Sequence, residues 1–480
     1  SQSQAAVYDI AKEHFPEIYE GMKKRISEGR WDASGAVTWT ECDFNMSSGE
    51  SIVRHLIYSA NYLKEQYNCP KPNILWAPDT FGFAGSLPQI AKKSGISYGF
   101  HMRAGTDLPL YVWEGIDGSR IINYNSNYNN VIDLMPIVQS CLKMSDDFGI
   151  NQILYPFGVG DHGGGPTRRD IKRADFINSL ETAPQLIFNS INGYFDSIGD
   201  INLNKLPVVK GELNTIFEGC YTTHADIKRY NRLAEQRLLE AETALALSAL
   251  CKKEHDTDVE PYWRKVLFNQ FHDIIDGCAL QCAYDLADSE LSDVIDNAVA
   301  IRDNHLKAIS GDDGYSVWNL HHAQRTDIAS IPVSGDDWQV IDKNGARIPS
   351  QIFDGRIYFI AKDIPALNYS TYQIIKDIPE KHFYDENDLV IDNQFYNIAI
   401  DSESGCFNSF FDKKANKAVI NGKKQRSLSA VSNYYDYNYN NNCFTMHYED
   451  PSHMPAWVIG KIWRRDYLLY GAKIRFISRG

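Results

Sequence analysis

The chain has 480 residues, 43% hydrophobic and 23% charged, a globular balance that at roughly 150 residues per domain gives about three domains. Its net charge of −14, from 48 Lys plus Arg against 62 Asp plus Glu, is the wrong sign for neutralising phosphates, which excludes a nucleic-acid binder. No apolar run approaches the roughly 18 residues of a spanning helix, which excludes a helical membrane protein.

Residues 1–188 alternate helical patterns with short apolar runs. Residues 9–30 and 49–67 predict helices, and 73–76, 96–100, 120–124 and 152–157 predict buried strands bounded by Pro, Gly or Asn. Strands separated by helices predict an α/β domain with mostly parallel strands, a barrel-like layer whose ligands sit at the strands' carboxyl ends. Residues 189–312 predict a three-helix bundle, from helices over 226–253, 260–275 and 289–309; on the first, Leu233, Leu238, Ala241, Leu245 and Ala249 fall near one face. From 313 to 480 the pattern changes to period-two alternation with recurrent turns, such as Lys343-Asn344-Gly345, and predicts a β-sandwich-like region. Residues 433–442, NYYDYNYNNN, read as a long exposed loop.

The nine cysteines, Cys42, Cys69, Cys141, Cys220, Cys251, Cys278, Cys282, Cys406 and Cys443, are odd in number and irregularly spaced. They argue against a disulfide framework and for a reducing compartment, the cytoplasm. Cys278 and Cys282 lie one helical turn apart but have no second pair at zinc-finger distance, so two packed thiols are the better reading. The 28 Tyr and 9 Trp suit sugar-stacking faces and an ordinary core alike.

Three clusters carry residue types suited to chemistry. WAPDTFGF (76–83) puts Asp79 just past a predicted strand, where α/β active sites are built; a Pro-Asp turn stabilised by its own side chain is the competing reading. YPFGVGDHGGGPT (155–167) packs five glycines within eight residues and lacks the Lys-Ser/Thr of a phosphate loop. It reads either as a loop presenting Asp161 into a cleft or as a plain connection to a helix starting near Thr167. NQFHDIIDG (269–277) places His272 and Asp273 in a polar-aromatic setting, as a metal ligand and its neighbour or as packed core.

In this order the three clusters resemble glycoside hydrolase family 38, the retaining, zinc-dependent α-mannosidases. Further blocks match in sequence: EGRW (28–31), SGES (48–51), LPQI (87–90), WEGIDGS (113–119) and GCYTTHADIKR (219–229). The resemblance runs from residue 1 to about 420. It implies Asp79 as nucleophile and zinc ligand, Asp161 as general acid/base, and His272 as zinc ligand. It also implies Phe81, Arg103, Phe217, Tyr221 and Asp273 as substrate-contacting positions. The implied reaction is hydrolysis of terminal α-linked mannose from glycans through a covalent glycosyl-enzyme. Such chemistry uses two carboxyl groups roughly 5–5.5 Å apart, one attacking and one protonating the leaving oxygen.

The family's zinc site also uses a His-x-Asp pair from a segment that precedes residue 1. The resemblance therefore implies a fragment with two of the four protein ligands, also lacking much of the β-rich C-terminal part. The lone His-x-Asp here, His224-Ala-Asp226, belongs to a block that aligns elsewhere. A catalytically inactive mannose-binding remnant is the alternative reading, and homo-oligomerisation is left open.

Overall fold

The computed structural model describes residues 2–33, 35–103, 106–129, 131–159, 164–198, 205–214, 217–252, 257–377, 389–403, 405–420, 445–449 and 462–467. The described residues divide into two compact units, one ending at His305 and the other beginning at Leu306.

The first unit opens with α1 (Ala5–His14) and α2 (Pro16–Ser27) in place of the single helix expected over 9–30. Pro16 has no N–H to continue the ladder and restricts the residue before it, so Phe15 leaves the helical region at φ −136°, ψ 60°. The next helix, α3 (Gly49–Tyr67), matches its expectation, capped by Ser48, whose hydroxyl accepts the Ser51 N–H at 3.1 Å. There follow β1 (Ile74–Ala77), α4 (Leu87–Lys93), β2 (Tyr98–His101), β3 (Leu110–Glu114), β4 (Arg120–Asn125), α5 (Leu134–Phe148), α6 (Arg168–Asn178), α7 (Ile191–Ser197) and β5 (Val208–Lys210).

The five strands form one mixed sheet of order β1-β2-β4-β3-β5, in which only the β3–β4 pair is antiparallel. Among the described residues the sheet is open and does not close into a barrel. The strand expected over 152–157 does not form, and its one ladder contact among the described residues is a bridge from Phe157 to Asn129. The Tyr124 hydroxyl engages both the N–H and the carbonyl of Leu154 at 3.1 Å, replacing a neighbouring strand there, and Pro156 has no N–H to give. By contrast β3, α5 and β5 form where no element was expected.

The helical part comprises α8 (Ala225–Leu250), α9 (Glu260–Asn269), α10 (His272–Ile275) and α11 (Gln281–Ser310). Gly311, at φ +76°, follows α11 and returns its N–H to Lys307 O at 2.9 Å. Side chains of α8, α9 and α11 share one apolar core around Leu238, Trp263 and Leu291. The buried stripe of α8 runs through Ile227, Asn231, Ala234, Leu238 and Ala241, with Glu235 and Ser248. Leu238 and Ala241 were expected there, whereas Leu245 is half-buried and Ala249 is exposed. Part of the buried face of α8 meets polar groups. Glu235 Oε1 accepts from Ser48 N at 3.0 Å, Ser51 Oγ at 2.6 Å and Gln270 Nε2 at 3.0 Å.

In the second unit β6 (Tyr315–Asn319), β7 (Arg325–Pro332), β8 (Trp338–Asp342), β9 (Arg347–Ile348), β10 (Ser350–Phe353), β11 (Arg356–Ile364) and β12 (Asn368–Lys376) form two antiparallel sheets, β10-β11-β7 and β6-β12-β8-β9. They meet through a shared core of Ile331, Val340, Ile357, Phe359 and Tyr372. A further antiparallel sheet contains β13 (Val390–Asp392), β14 (Tyr396–Ile400), β15 (Phe407–Asp412) and β16 (Lys417–Ile420), and β17 (Thr445–Glu449) pairs with β18 (Ile462–Tyr467). Residues 433–442 lie outside the described residues. Among the described residues no helix is long and apolar enough to cross a membrane.

Candidate active site

Asp79 emerges directly beyond β1, as a residue at the carboxyl end of a parallel strand should. Its side chain is 32% exposed. Oδ1 accepts from the Arg103 guanidinium, and from the Tyr128 hydroxyl at 3.2 Å. Arg103 Nη2 in turn donates to Tyr128 Oη at 2.9 Å, closing a three-residue ring. Oδ2 is left facing His272 Nε2 at 3.9 Å. The guanidinium and the hydroxyl together fix the orientation of the carboxylate, which suits a nucleophile.

His272 opens α10 because the helix expected over 260–275 breaks before it. Segment 38–44 passes there: Asp43 N donates to Gln270 O at 3.2 Å, His272 N donates to Glu41 O at 3.1 Å, and Cys42 bridges Phe271. The ring Nδ1 also meets Glu41 O at 2.9 Å. A carbonyl can only accept, so Nδ1 carries a proton, and the tautomer this selects has its lone pair on Nε2. The ring is 3% exposed.

An aromatic wall adjoins the pair. Phe81 lies 4.9 Å from Phe217 and 5.2 Å from His272, centroid to centroid, and the Arg103 guanidinium stands 5.5 Å from the Phe217 ring. Phe81, Phe217 and Cys220 form one buried cluster with Cys278 against it. The Asp273 carboxylate accepts from Cys278 Sγ at 3.2 Å. Cys278 thus packs towards Cys220, while Cys282 is exposed, and the expected pair of packed thiols does not form. Tyr221 leans over Gly82, where a Cβ would lie 1.9 Å from the tyrosine hydroxyl, so only glycine fits without moving it.

Beneath the site lie buried carboxyls that the sequence reading did not single out. Glu41 Oε1 accepts the Asp79 N–H at 2.6 Å. Burial pushes the Glu41 carboxyl up, with His272 and the Asp79 N–H pulling the other way. Burial also pushes Asp43 up to about 6, against the N–H groups of Met46 and Asn45 that its Oδ1 accepts. Asp276 is pushed well up by burial and then by the charge of Asp43.

The structure therefore brings together Asp79, Arg103, Phe81, Phe217 and His272. Asp161 lies outside the described residues. The loop's flanks are fixed: Val159 N donates to Gly164 O at 2.7 Å, and Thr167 caps α6 in a reciprocal box with Asp170. Glu41 and Tyr128 were missed. Neither stands in a block that announces chemistry, and both reach Asp79 from far along the chain.

Asp79 Oδ2 and His272 Nε2 could both hold a metal ion. Their donor types, the ring tautomer and the carbonyl behind Nδ1 match a zinc-ligand pair, for which a second partner on the far ring nitrogen is usual. Among the described residues no group of three or more His, Cys, Asp or Glu is arranged to hold a metal. His224 instead stacks on Tyr284 at 4.1 Å and faces Asp226 at 3.9 Å.

Comparison with known proteins matches residues 1–213 to the glycosyl hydrolases family 38 N-terminal domain and residues 215–309 to the alpha mannosidase middle domain. Alpha-mannosidase G of Dictyostelium discoideum is 27% identical over 469 residues, covering 88% of this chain and 43% of that protein. Human Alpha-mannosidase 2C1 is 27% identical over 352 residues, covering 69% of this chain and 33% of its own length. The chain thus spans less than half the length of these relatives. The crystal structure of an alpha-mannosidase from Enterococcus faecalis V583 shares the fold, with a TM-score of 0.70 at 18% identity over 87% of this chain and 56% of that one. On these matches, the chain belongs to glycoside hydrolase family 38.

Proposed function

We propose that the chain carries the catalytic machinery of a retaining, zinc-dependent α-mannosidase that removes terminal α-linked mannose from glycans. One observation carries the reading beyond family membership. Asp79 has one carboxylate oxygen held by Arg103 and Tyr128 and the other turned towards the Nε2 lone pair of His272. Such a carboxylate is held in one orientation, as a nucleophile needs.

In the proposed reaction Asp79 attacks the anomeric carbon and forms the glycosyl-enzyme. Asp161 gives its proton to the departing oxygen, then takes one from the water that releases mannose. Arg103 and Tyr128 hold Asp79 in line, and Phe81 and Phe217 offer apolar faces to the sugar ring. Asp79 and His272 would hold the zinc ion, which supplies Lewis-acid positioning of sugar hydroxyls when bound. The barrel-like catalytic layer over 1–188, the helical bundle over 189–312 and the β-rich region beyond belong to the same proposal. So does a cytoplasmic setting, which the eight free cysteines among the described residues support.

The test is hydrolysis of an aryl α-mannoside with zinc and with chelator, by the wild type and by Asp79→Ala. Zinc-dependent turnover with β-face attack by Asp79 requires the α-anomer of mannose as first product, and a loss in the variant of at least about 10³-fold. First release of the β-anomer, or a variant that retains activity, overturns the reading.

A further inference from the structure

We infer that Glu41 is a positioning residue for this site, its side chain fixing the turn that carries Asp79 while its main chain fixes the ring of His272. The inference rests on the mannosidase reading and deepens it.

The two ends of Glu41 face the two candidate groups. Its carboxylate accepts the Asp79 N–H at 2.6 Å. A short backbone bond from Asp79 to a buried carboxylate fixes the peptide plane that leads into Asp79, and hence where its Cβ points. Its carbonyl accepts two donors from His272, the backbone N–H at 3.1 Å and ring Nδ1 at 2.9 Å. Bonding the main chain and the ring of one residue to the same oxygen restricts rotation of that ring and selects the Nε2 lone pair.

Glu41 is itself anchored on both sides. Thr40 Oγ1 donates to Leu267 O at 2.7 Å, and Thr80 Oγ1 donates to Cys42 O at 3.1 Å. Phe44 N donates to Gly82 O at 3.0 Å. At 5% exposure Glu41 is nearly sealed from solvent and acts through its neighbours. A buried carboxylate is costly unless backbone donors or charges meet it, and here the Asp79 N–H that meets it belongs to the turn of the candidate nucleophile. Asp43, two residues on, shows the contrasting local role, with Oδ1 bonded to the N–H groups of Asn45 and Met46 in its own turn.

The test compares Glu41→Ala and Glu41→Gln with wild type in the full-length protein, reading kcat, KM and amide hydrogen exchange at Asp79 and Thr80. The alanine variant should lose on the order of 10²-fold in kcat while KM moves less than about threefold, because orientation is lost and sugar contacts are kept. Exchange at the two amides should rise more than about tenfold without a matching rise across β2 and β4. Glutamine keeps an acceptor oxygen at the same place, so kcat should recover to within about tenfold of wild type. Should alanine prevent folding, the glutamine variant decides: near-normal kcat and protected amides support the role, and an inactive folded variant overturns it. An alanine variant with unchanged kcat or unchanged exchange also overturns it. Were the wild type inactive on mannosides, the substrate reading would fall, and amide exchange would still report whether Glu41 holds the turn.

Discussion

The two units differ in what they bury. In the second, the described buried polar residues are Asn319 and Gln339, set in a core of Ile, Val, Phe and Tyr. In the first, Glu41, Asp43, His55, His101, Glu235, Gln270, His272 and Asp276 are all buried. Sheet-on-sheet packing is stabilised by removing apolar area from water, and a polar group in such a core only detracts. Burying many titratable groups offsets part of that gain, so their value lies in fixing positions. The comparison teaches that the first unit holds geometry at the expense of stability, while the second does the reverse.

The largest expected effect is Asp161→Ala. The kcat/KM of substrates with poor leaving groups should fall about 10²–10⁴-fold, and that of substrates with good leaving groups should suffer far less. Values of kcat/KM across a series of aryl mannosides check this, and an equal fall for all members would remove Asp161 from the acid role. The thermal midpoint should stay within about 2 °C of wild type, as expected when a polar group contributes chemistry more than stability.

The opposite pattern is expected at Phe359, which is buried on β11 against Tyr372 at 4.7 Å. Phe359→Ala should destabilise the second unit by about 3–5 kcal/mol in denaturant unfolding, with kcat unchanged in protein that remains folded. A smaller loss, below about 1 kcal/mol, would break the contrast between the units.

A third effect is pH-dependent. His55 is fully buried, its Nε2 donates to Gln270 Oε1 at 3.1 Å, and burial pulls its pKa from 6.5 down to about 3. Folded, the ring stays neutral down to about pH 3, while in the unfolded chain it protonates near 6.5. Unfolding therefore takes up a proton between those values. The stabilisation is complete above about pH 6.5 and is lost as pH falls, by up to a few kcal/mol near pH 3–4. Unfolding free energies measured from pH 7.5 to 4 should decline more steeply in wild type than in His55→Gln.

Much of this was legible beforehand, for identifiable reasons. The bounds of α3 follow from Ser48 before an amphipathic run and Asn68 after it, all local facts. Asp79 at a strand end was expected from its own block, whereas Arg103 and His272 as site residues came from the family resemblance. What escaped reading depends on distant partners. Nothing within 260–275 tells that segment 38–44 will interrupt the helix at Phe271, and nothing around Glu41 says that its carboxylate meets a turn 38 positions away. The strand expected over 152–157 failed for a similar reason, since the side chain of Tyr124 occupies the backbone groups of Leu154.

The break between α9 and α10 also bears on how the protein can be taken apart. The family matches suggest a convenient cut near residue 214. Yet Asp43, Glu41 and Thr40 all pair with backbone beyond it, at Gln270, His272 and Leu267. An expressed piece ending at that seam would leave a buried ribbon without its mate and the support of Asp79 half-built. A boundary inferred by homology is here a boundary of ancestry and not of folding, and the smallest piece able to work must carry the chain through α10.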